Sequence, residues 1–121
     1  MNTVLVVDDQ LSHREMISNL LKGSGFKVMM ASDGNEALEQ IEAHPPDLVI
    51  LDIVMPKVNG YEVCRQVKSN PITKQIPVIV CSIMSEEFDR FWGMRQGADA
   101  YIGKPFQPQE LQDMVQKMFL Q

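Results

Sequence analysis

The sequence has little of what several classes of protein require. No apolar run among its 121 residues approaches the roughly 20 residues of a membrane-spanning helix. The first residues lack the charged start and long apolar stretch of a secretion signal. The net charge of −5 argues against nucleic-acid binding, because phosphate contacts require a basic surface. We therefore predict a cytoplasmic protein that binds neither a membrane nor nucleic acid.

Cysteine and histidine are also scarce, with two residues of each. Cys64 and Cys81 lie inside apolar segments, which predicts small core residues of a reduced protein. His13 and His44 are far apart in the sequence and have no other His or Cys nearby. Neither histidine therefore indicates a transition-metal site.

Apolar runs alternate with helical periodicities along the rest of the chain. The predicted strands cover residues 3–7, 27–31, 48–51, 77–81 and 99–103, and a helical pattern follows each of them. This alternation predicts one α/β domain over residues 1–121, with parallel strands, right-handed crossovers and helices on both faces of the sheet.

Two details of the helices can be predicted from local patterns. Ser12, followed three residues later by Glu15, fits a capping box at the start of the first helix. Phe88, Phe91 and Trp92 share one face of the fourth helix, which predicts that most of this face belongs to the core. Because Phe91 and Trp92 are adjacent, one of the two is expected to turn outward.

Polar residues follow the strands where each predicted strand ends. Asp8 and Asp9 follow the first strand, Asp52 the third, Ser82 the fourth and Lys104 the fifth. In a parallel sheet these ends lie at one edge, where open α/β sheets bind ligands. Three carboxylates there would raise each other's pKa unless a cation neutralised them, which favours Mg²⁺ as cofactor.

The same set of residues suggests a reaction. A lysine amine and a serine hydroxyl are suited to holding phosphoryl oxygens. Asp52 directly follows the apolar run Leu48–Leu51, at the exposed edge of a buried strand. We predict that Asp52 is a nucleophile that forms an aspartyl phosphate.

Four segments carry a family resemblance that covers the whole chain: VLVVDD, LVILDIVMPKVNG, PVIVCS and GADAYIGKPF. Together they resemble the response-regulator receiver domain of the CheY type. The resemblance implies a flavodoxin-like, doubly wound sheet in the order 2-1-3-4-5 with five helices. It also implies a two-component phosphorelay protein with no enzymatic activity beyond its own phosphorylation and dephosphorylation.

The resemblance implies a role for each matched residue at the phosphorylation site. Asp52 would be the phosphoacceptor, and Ser82 and Lys104 would contact the phosphoryl group. Mg²⁺ would be bound by the side chains of Asp8, Asp9 and Asp52 together with the backbone carbonyl of Val54.

Further expectations concern the switch and the partners. The resemblance implies that the Lys104–Pro105 bond is cis, and that Ser82 and Tyr101 act as the switch residues. The donor would be a histidine kinase or a phosphotransfer protein, and an output protein would bind the face formed by helix 4, strand 5 and helix 5. The segment FWGMRQGADAY is similar to single-domain receivers of twitching motility, the PilG/PilH type.

One position departs from the family pattern. Ile83 replaces the usual small residue after the hydroxyl residue, and we expect it to crowd the site or hinder the switch.

Three alternative functions differ from this reading. A haloacid-dehalogenase-like phosphatase would require an acid where Val54 stands. A flavodoxin-like cofactor module would require a phosphate loop after the first strand. The remaining alternative is a receiver-like interaction module that has lost the phosphorylation switch.

Overall fold

The structure, a computed structural model, describes residues 2–120 and contains five strands that alternate with five helices. The strands are β1 Thr3–Val7, β2 Lys27–Ala31, β3 Leu48–Leu51, β4 Val78–Ser82 and β5 Ala100–Gly103. The helices are α1 Leu11–Gly23, α2 Gly34–Ala43, α3 Gly60–Ser69, α4 Glu87–Arg95 and α5 Pro108–Phe119. All neighbouring strands are parallel, in the order β2-β1-β3-β4-β5, which confirms the predicted topology.

The sheet is buried on both faces, which explains why its central strands are apolar without alternation. Leu5 and Val7 of β1 face one cluster, which contains the buried residues of α2 and α3. Val4 and Val6 face the opposite cluster, which contains the buried residues of α1 and α5. Successive side chains of a strand point to opposite faces, so β1 contributes to both layers. The residues at its C-terminal end are consequently held from both sides.

The start of α1 differs from the prediction. Its N-cap is Gln10, without a side-chain hydrogen bond, so the capping box of Ser12 and Glu15 is wrong. The backbone N–H of Gln10 donates to Oδ1 of Asp8 at 3.0 Å, and the guanidinium of Arg14 donates to the carbonyl of Asp8 at 2.8 Å. These two bonds turn the chain tightly after β1, and the helix begins one residue before Ser12.

The outward face of α4 contradicts the prediction of a helix core. Phe88, Phe91 and Trp92 are 73%, 58% and 45% exposed, and both members of the adjacent pair turn outward. Gly93 is the one buried residue of this helix. A Cβ at Gly93 would lie 2.8 Å from the ring of Tyr101. The helix can therefore pack this closely against Tyr101 of β5 because residue 93 has no side chain.

The two cysteines are core residues, as predicted. Cys64 and Cys81 are buried and free. Burial raises the pKa of the Cys81 thiol to about 12 and that of the Cys64 thiol to about 11, so both are protonated at neutral pH. Between residues 2 and 120, no helix has both the length and the apolar character needed to cross a membrane.

Candidate functional site

Backbone hydrogen bonds fix the predicted site residues just beyond the ends of their strands. The N–H of Asp8 donates to the carbonyl of Ala31 at 3.1 Å, and the N–H of Asp52 donates to the carbonyl of Val7 at 3.0 Å. The N–H of Lys104 donates to the carbonyl of Ser82 at 2.9 Å. Each bond extends the parallel sheet by one step, so these side chains start from rigid backbone at one edge.

Three carboxylates meet at this edge. Asp8, Asp9 and Asp52 each place an oxygen so that the three atoms lie within 4.8 Å of one another. Asp8 is 1% exposed and Asp52 is 7% exposed, whereas Asp9 is open to solvent. An all-oxygen set of this charge fits a hard divalent cation, and the exposed Asp9 leaves a side from which water and a cation can enter.

Lys104 lies between these carboxylates and partly neutralises them. Its Nζ atom is 2.5 Å from Oδ2 of Asp8 and 3.5 Å from Oδ2 of Asp52, and its side chain is 7% exposed. Burial by itself would lower the pKa of Lys104, but the hydrogen bond to Asp8 and the charges of Asp52 and Asp8 outweigh burial and raise it. The amine is therefore an ammonium ion at neutral pH.

The surroundings of Asp52 disfavour the ionised form of its carboxyl group. Burial raises its pKa; the charge of Lys104 opposes this rise and the charge of Asp8 adds to it. The backbone N–H of Val54 donates to Oδ1 of Asp52 at 3.3 Å. Backbone donors and one ammonium neighbour therefore act on the carboxylate, and a cation at the acidic cluster would further favour its ionised form.

Gly60 allows the loop after β3 to close behind Asp52. A Cβ at this position would contact the carbonyl oxygen of Asp52 and lie 2.7 Å from Cα of Ile53. The N–H of Gly60 donates to the carbonyl of Ile53 at 3.1 Å, and the side chain of Asn59 caps α3. The turn at residues 59–60 therefore folds directly against the backbone that carries Asp52.

Ser82 and Tyr101 occupy the far side of the site. Ser82 is fully buried at the end of β4, and its Oγ accepts a hydrogen bond from the N–H of Met84 at 3.1 Å. Tyr101 is 7% exposed, and its hydroxyl donates to the carbonyl of Met84. The guanidinium of Arg90 lies 5.5 Å from the centre of the Tyr101 ring. Tyr101 therefore lies inward, and both side chains contact the same short loop after β4.

A cavity of about 260 Å³ opens beside the amine of Lys104. Its lining is His13, Met16, Ile83, Lys104, Pro105 and Phe106. Ile83 is 66% exposed at the wall of this cavity, beside Lys104. That it crowds the site or hinders the switch stays a prediction. The Lys104–Pro105 bond is cis, as the resemblance implied.

The sequence analysis considered His13 only as a metal ligand and missed its contact with Lys104. The Nδ1 atom of His13 lies 2.9 Å from Nζ of Lys104 and 3.8 Å from Oδ2 of Asp8. The position of His13 in the first turn of the helix that follows Asp8 and Asp9 could have indicated this contact. A residue there faces the same edge of the sheet.

Comparisons with known proteins agree with this geometry. Residues 4–116 match the family model described as the response regulator receiver domain. The chain is 41% identical over 112 residues to the alkaline phosphatase synthesis transcriptional regulatory protein PhoP of Bacillus subtilis, covering 93% of this chain and 46% of PhoP. It therefore spans less than half the length of that relative.

Two solved structures show the same fold at similar sequence identity. The chemotaxis protein CheY4 of Vibrio cholerae superposes with a TM-score of 0.91 at 32% identity, covering 98% of each chain. The receiver domain of a signal transduction histidine kinase from Syntrophus aciditrophicus gives a TM-score of 0.91 at 31% identity, covering 98% of this chain and 89% of that one.

Proposed function

Because the chain belongs to the response regulator receiver domain family, we propose that it accepts a phosphoryl group on Asp52 and transmits the signal by binding a protein. The observation that supports this most directly is the meeting of three carboxylates with the ammonium of Lys104 at one edge of the sheet. Nucleophile, cation ligands and a positive charge for phosphoryl oxygens are then all present.

The proposed reaction is a phosphoryl transfer from a phosphohistidine on a histidine kinase or phosphotransfer protein. A carboxylate oxygen of Asp52 forms a bond to phosphorus, the P–N bond to the donor imidazole breaks, and its electron pair remains on that nitrogen. Lys104 lies close enough to Asp52 to contact the transferred oxygens after a small movement away from Asp8. We propose no other enzymatic activity.

The acidic cluster is suited to Mg²⁺. The side chains of Asp8, Asp9 and Asp52 would hold the ion, with the backbone carbonyl of Val54 as a further proposed ligand. When bound, the ion would neutralise the carboxylates and the developing charge on the phosphoryl oxygens. The raised pKa of Asp52 is consistent with this role, because the site without a cation disfavours a negative charge.

The proposed switch uses the loop after β4. The Oγ of Ser82 now accepts from Met84, so its own proton is available for a phosphoryl oxygen on Asp52. Such a contact exists only in the phosphorylated state and would shift the loop that Tyr101 also contacts. The affected surface is the face of α4, β5 and α5, where Phe88 and Phe91 are exposed, and we propose that an output protein binds there.

The biological context is proposed on narrower grounds. The relatives are a transcriptional regulator, a chemotaxis protein and a receiver domain of a histidine kinase. Membership of the family therefore does not identify the output of this chain. The segment FWGMRQGADAY supports a cytoplasmic receiver of the twitching-motility (PilG/PilH) type. We propose that residues 1–121 form one receiver unit.

The test is phosphorylation by acetyl phosphate in the presence of Mg²⁺, measured as intact mass. We expect wild type to gain one phosphoryl group and Asp52→Ala to gain none. Asp47→Ala, which alters an acid beside β3 but outside the cluster, is the matched control and should be labelled like wild type. An unlabelled wild type would instead support a receiver-like interaction module that has lost the switch.

A further inference from the structure

We infer that His13 is a positioning residue for Lys104, holding its amine beside Asp52 when the bond to Asp8 is given up. The inference rests on the proposed phosphorylation of Asp52. Its basis is the 2.9 Å contact between Nδ1 of His13 and Nζ of Lys104. Nothing in the resemblance to receivers assigns a role to this histidine.

The amine of Lys104 has two hydrogen-bond partners and one further charged neighbour. An ammonium group has three N–H donors and no acceptor. Its neighbours are Oδ2 of Asp8 at 2.5 Å, Nδ1 of His13 at 2.9 Å and Oδ2 of Asp52 at 3.5 Å. His13 therefore supplies the one neighbour of the amine, among these three, that is not a carboxylate.

This contact fixes the tautomer of the ring. Because the ammonium can only donate, Nδ1 of His13 must accept, and the ring proton belongs on Nε2. His13 is held in place by the first turn of α1, which the bond from Arg14 to the carbonyl of Asp8 ties to the end of β1. The ring is one-third exposed and forms a wall of the cavity beside Lys104.

The role follows from the competition for Asp8. In the present structure Asp8 makes the shortest contact of the amine. A divalent cation at the cluster would use the same carboxylate, and Lys104 would then lose this partner. His13 carries no negative charge to share with a cation, so it can keep the amine within reach of Asp52. A flexible lysine chain that is fixed in this way loses less freedom during the transfer.

Two substitutions separate the hydrogen bond from the shape of the side chain. His13→Asn keeps an acceptor, because its Oδ1 is attached to Cγ as Nδ1 is in histidine. His13→Leu keeps a similar bulk and has no acceptor. Glu15→Gln, in the same turn of α1 and without contact to Lys104, is the matched control. Phosphorylation by acetyl phosphate with saturating Mg²⁺ gives the rate for each variant.

We expect His13→Leu to be phosphorylated about three- to tenfold more slowly than wild type, the equivalent of one hydrogen bond. His13→Asn should recover most of this loss, and Glu15→Gln should match wild type. Equal rates for wild type and His13→Leu would overturn the inference and leave the proposed function standing. Absence of label in wild type would overturn both.

A second measurement does not depend on activity, and its first part requires wild type only. Nitrogen-15 NMR of the imidazole in wild type should show the tautomer with the proton on Nε2 and an unprotonated Nδ1 acceptor. The Nζ resonance of Lys104 should shift in His13→Leu and stay unchanged in Glu15→Gln. A proton on Nδ1 of the neutral ring would overturn the inference even if His13→Leu failed to fold.

Discussion

Asp52 is almost fully buried, yet the proposed phosphorylation requires its carboxyl group to be ionised. Its position directly after β3 places the carboxylate between the ends of β1 and β4, and burial raises its pKa. Because the proton binds more tightly to the folded than to the unfolded chain, the free energy of unfolding falls as the pH rises through the raised pKa. Without a cation, the protein is thus destabilised by the carboxylate on which the proposed phosphorylation depends.

We predict that Asp52→Asn is more stable than wild type at pH 7 in EDTA, by roughly 1 kcal/mol, a common size for one substitution. The amide has a similar shape and carries no charge to bury. Near pH 3.5, below the ordinary pKa of an aspartate, the wild-type carboxyl is mostly protonated in both states and the difference should become small. Urea unfolding at the two pH values measures it; a less stable Asp52→Asn at pH 7 would contradict the cause given.

Sequence reasoning placed the acids, the hydroxyl and the lysine at one edge of the sheet because they lie at or just after the C-terminal ends of parallel strands. It could not find contacts that depend on side-chain packing between distant segments. The bond from Lys104 to His13 joins residues 91 positions apart, and the bond from Tyr101 to Met84 joins residues 17 apart. Neither pair has a local pattern that predicts it.

At the scale of the element, α4 is the part that the sequence described least well. Three aromatic residues on one helical face normally indicate burial. In the structure, the space between α4 and the sheet is occupied by the inward ring of Tyr101, and Gly93 is the residue that makes room for it. The large side chains of this short helix therefore have no place inside. The strands were predicted to within one residue, because unbroken apolar runs between turns have fewer alternatives.

We predict that Gly93→Ala destabilises the protein by about 1–3 kcal/mol, the usual range for overpacking. The added methyl group would lie 2.8 Å from the ring of Tyr101, which must then move. Urea unfolding measures the change, and the intensity of Trp92 fluorescence reports whether the neighbouring ring has shifted.

Tyr101→Ala provides the background that isolates this contact. Without the ring, Gly93→Ala should stabilise α4 by up to about 1 kcal/mol, because alanine favours helix more than glycine does. The sign of the substitution would thus reverse. If Gly93→Ala is destabilising to the same extent in both backgrounds, contact with Tyr101 is not the reason that position 93 requires glycine.

At the scale of the whole molecule, the acidic cluster couples cation binding to folding. The three carboxylates follow β1 and β3, two neighbouring strands of the sheet, and lie together only in the folded chain. A cation bound there would favour folding by an amount that grows with its concentration.

We predict that Mg²⁺ raises the melting temperature and that EDTA reverses the change. At a Mg²⁺ concentration one hundred times the dissociation constant, the gain is about 2.7 kcal/mol. Calorimetry over a series of Mg²⁺ concentrations measures it. Asp9→Asn should reduce the gain, whereas Asp47→Asn, outside the cluster, should leave it unchanged; equal gains in both variants would contradict the assigned site.

The contrast between β3 and α4 has a kinetic consequence. All four residues of β3 are buried, whereas α4 buries Gly93 alone among its nine residues. The backbone that carries Asp52 can therefore open only when most of the molecule opens, while α4 can detach and return at a small cost. The proposed phosphoacceptor and the proposed recognition helix thus lie at opposite ends of the stability range within one small domain, so the helix can sample several arrangements while Asp52 stays in place.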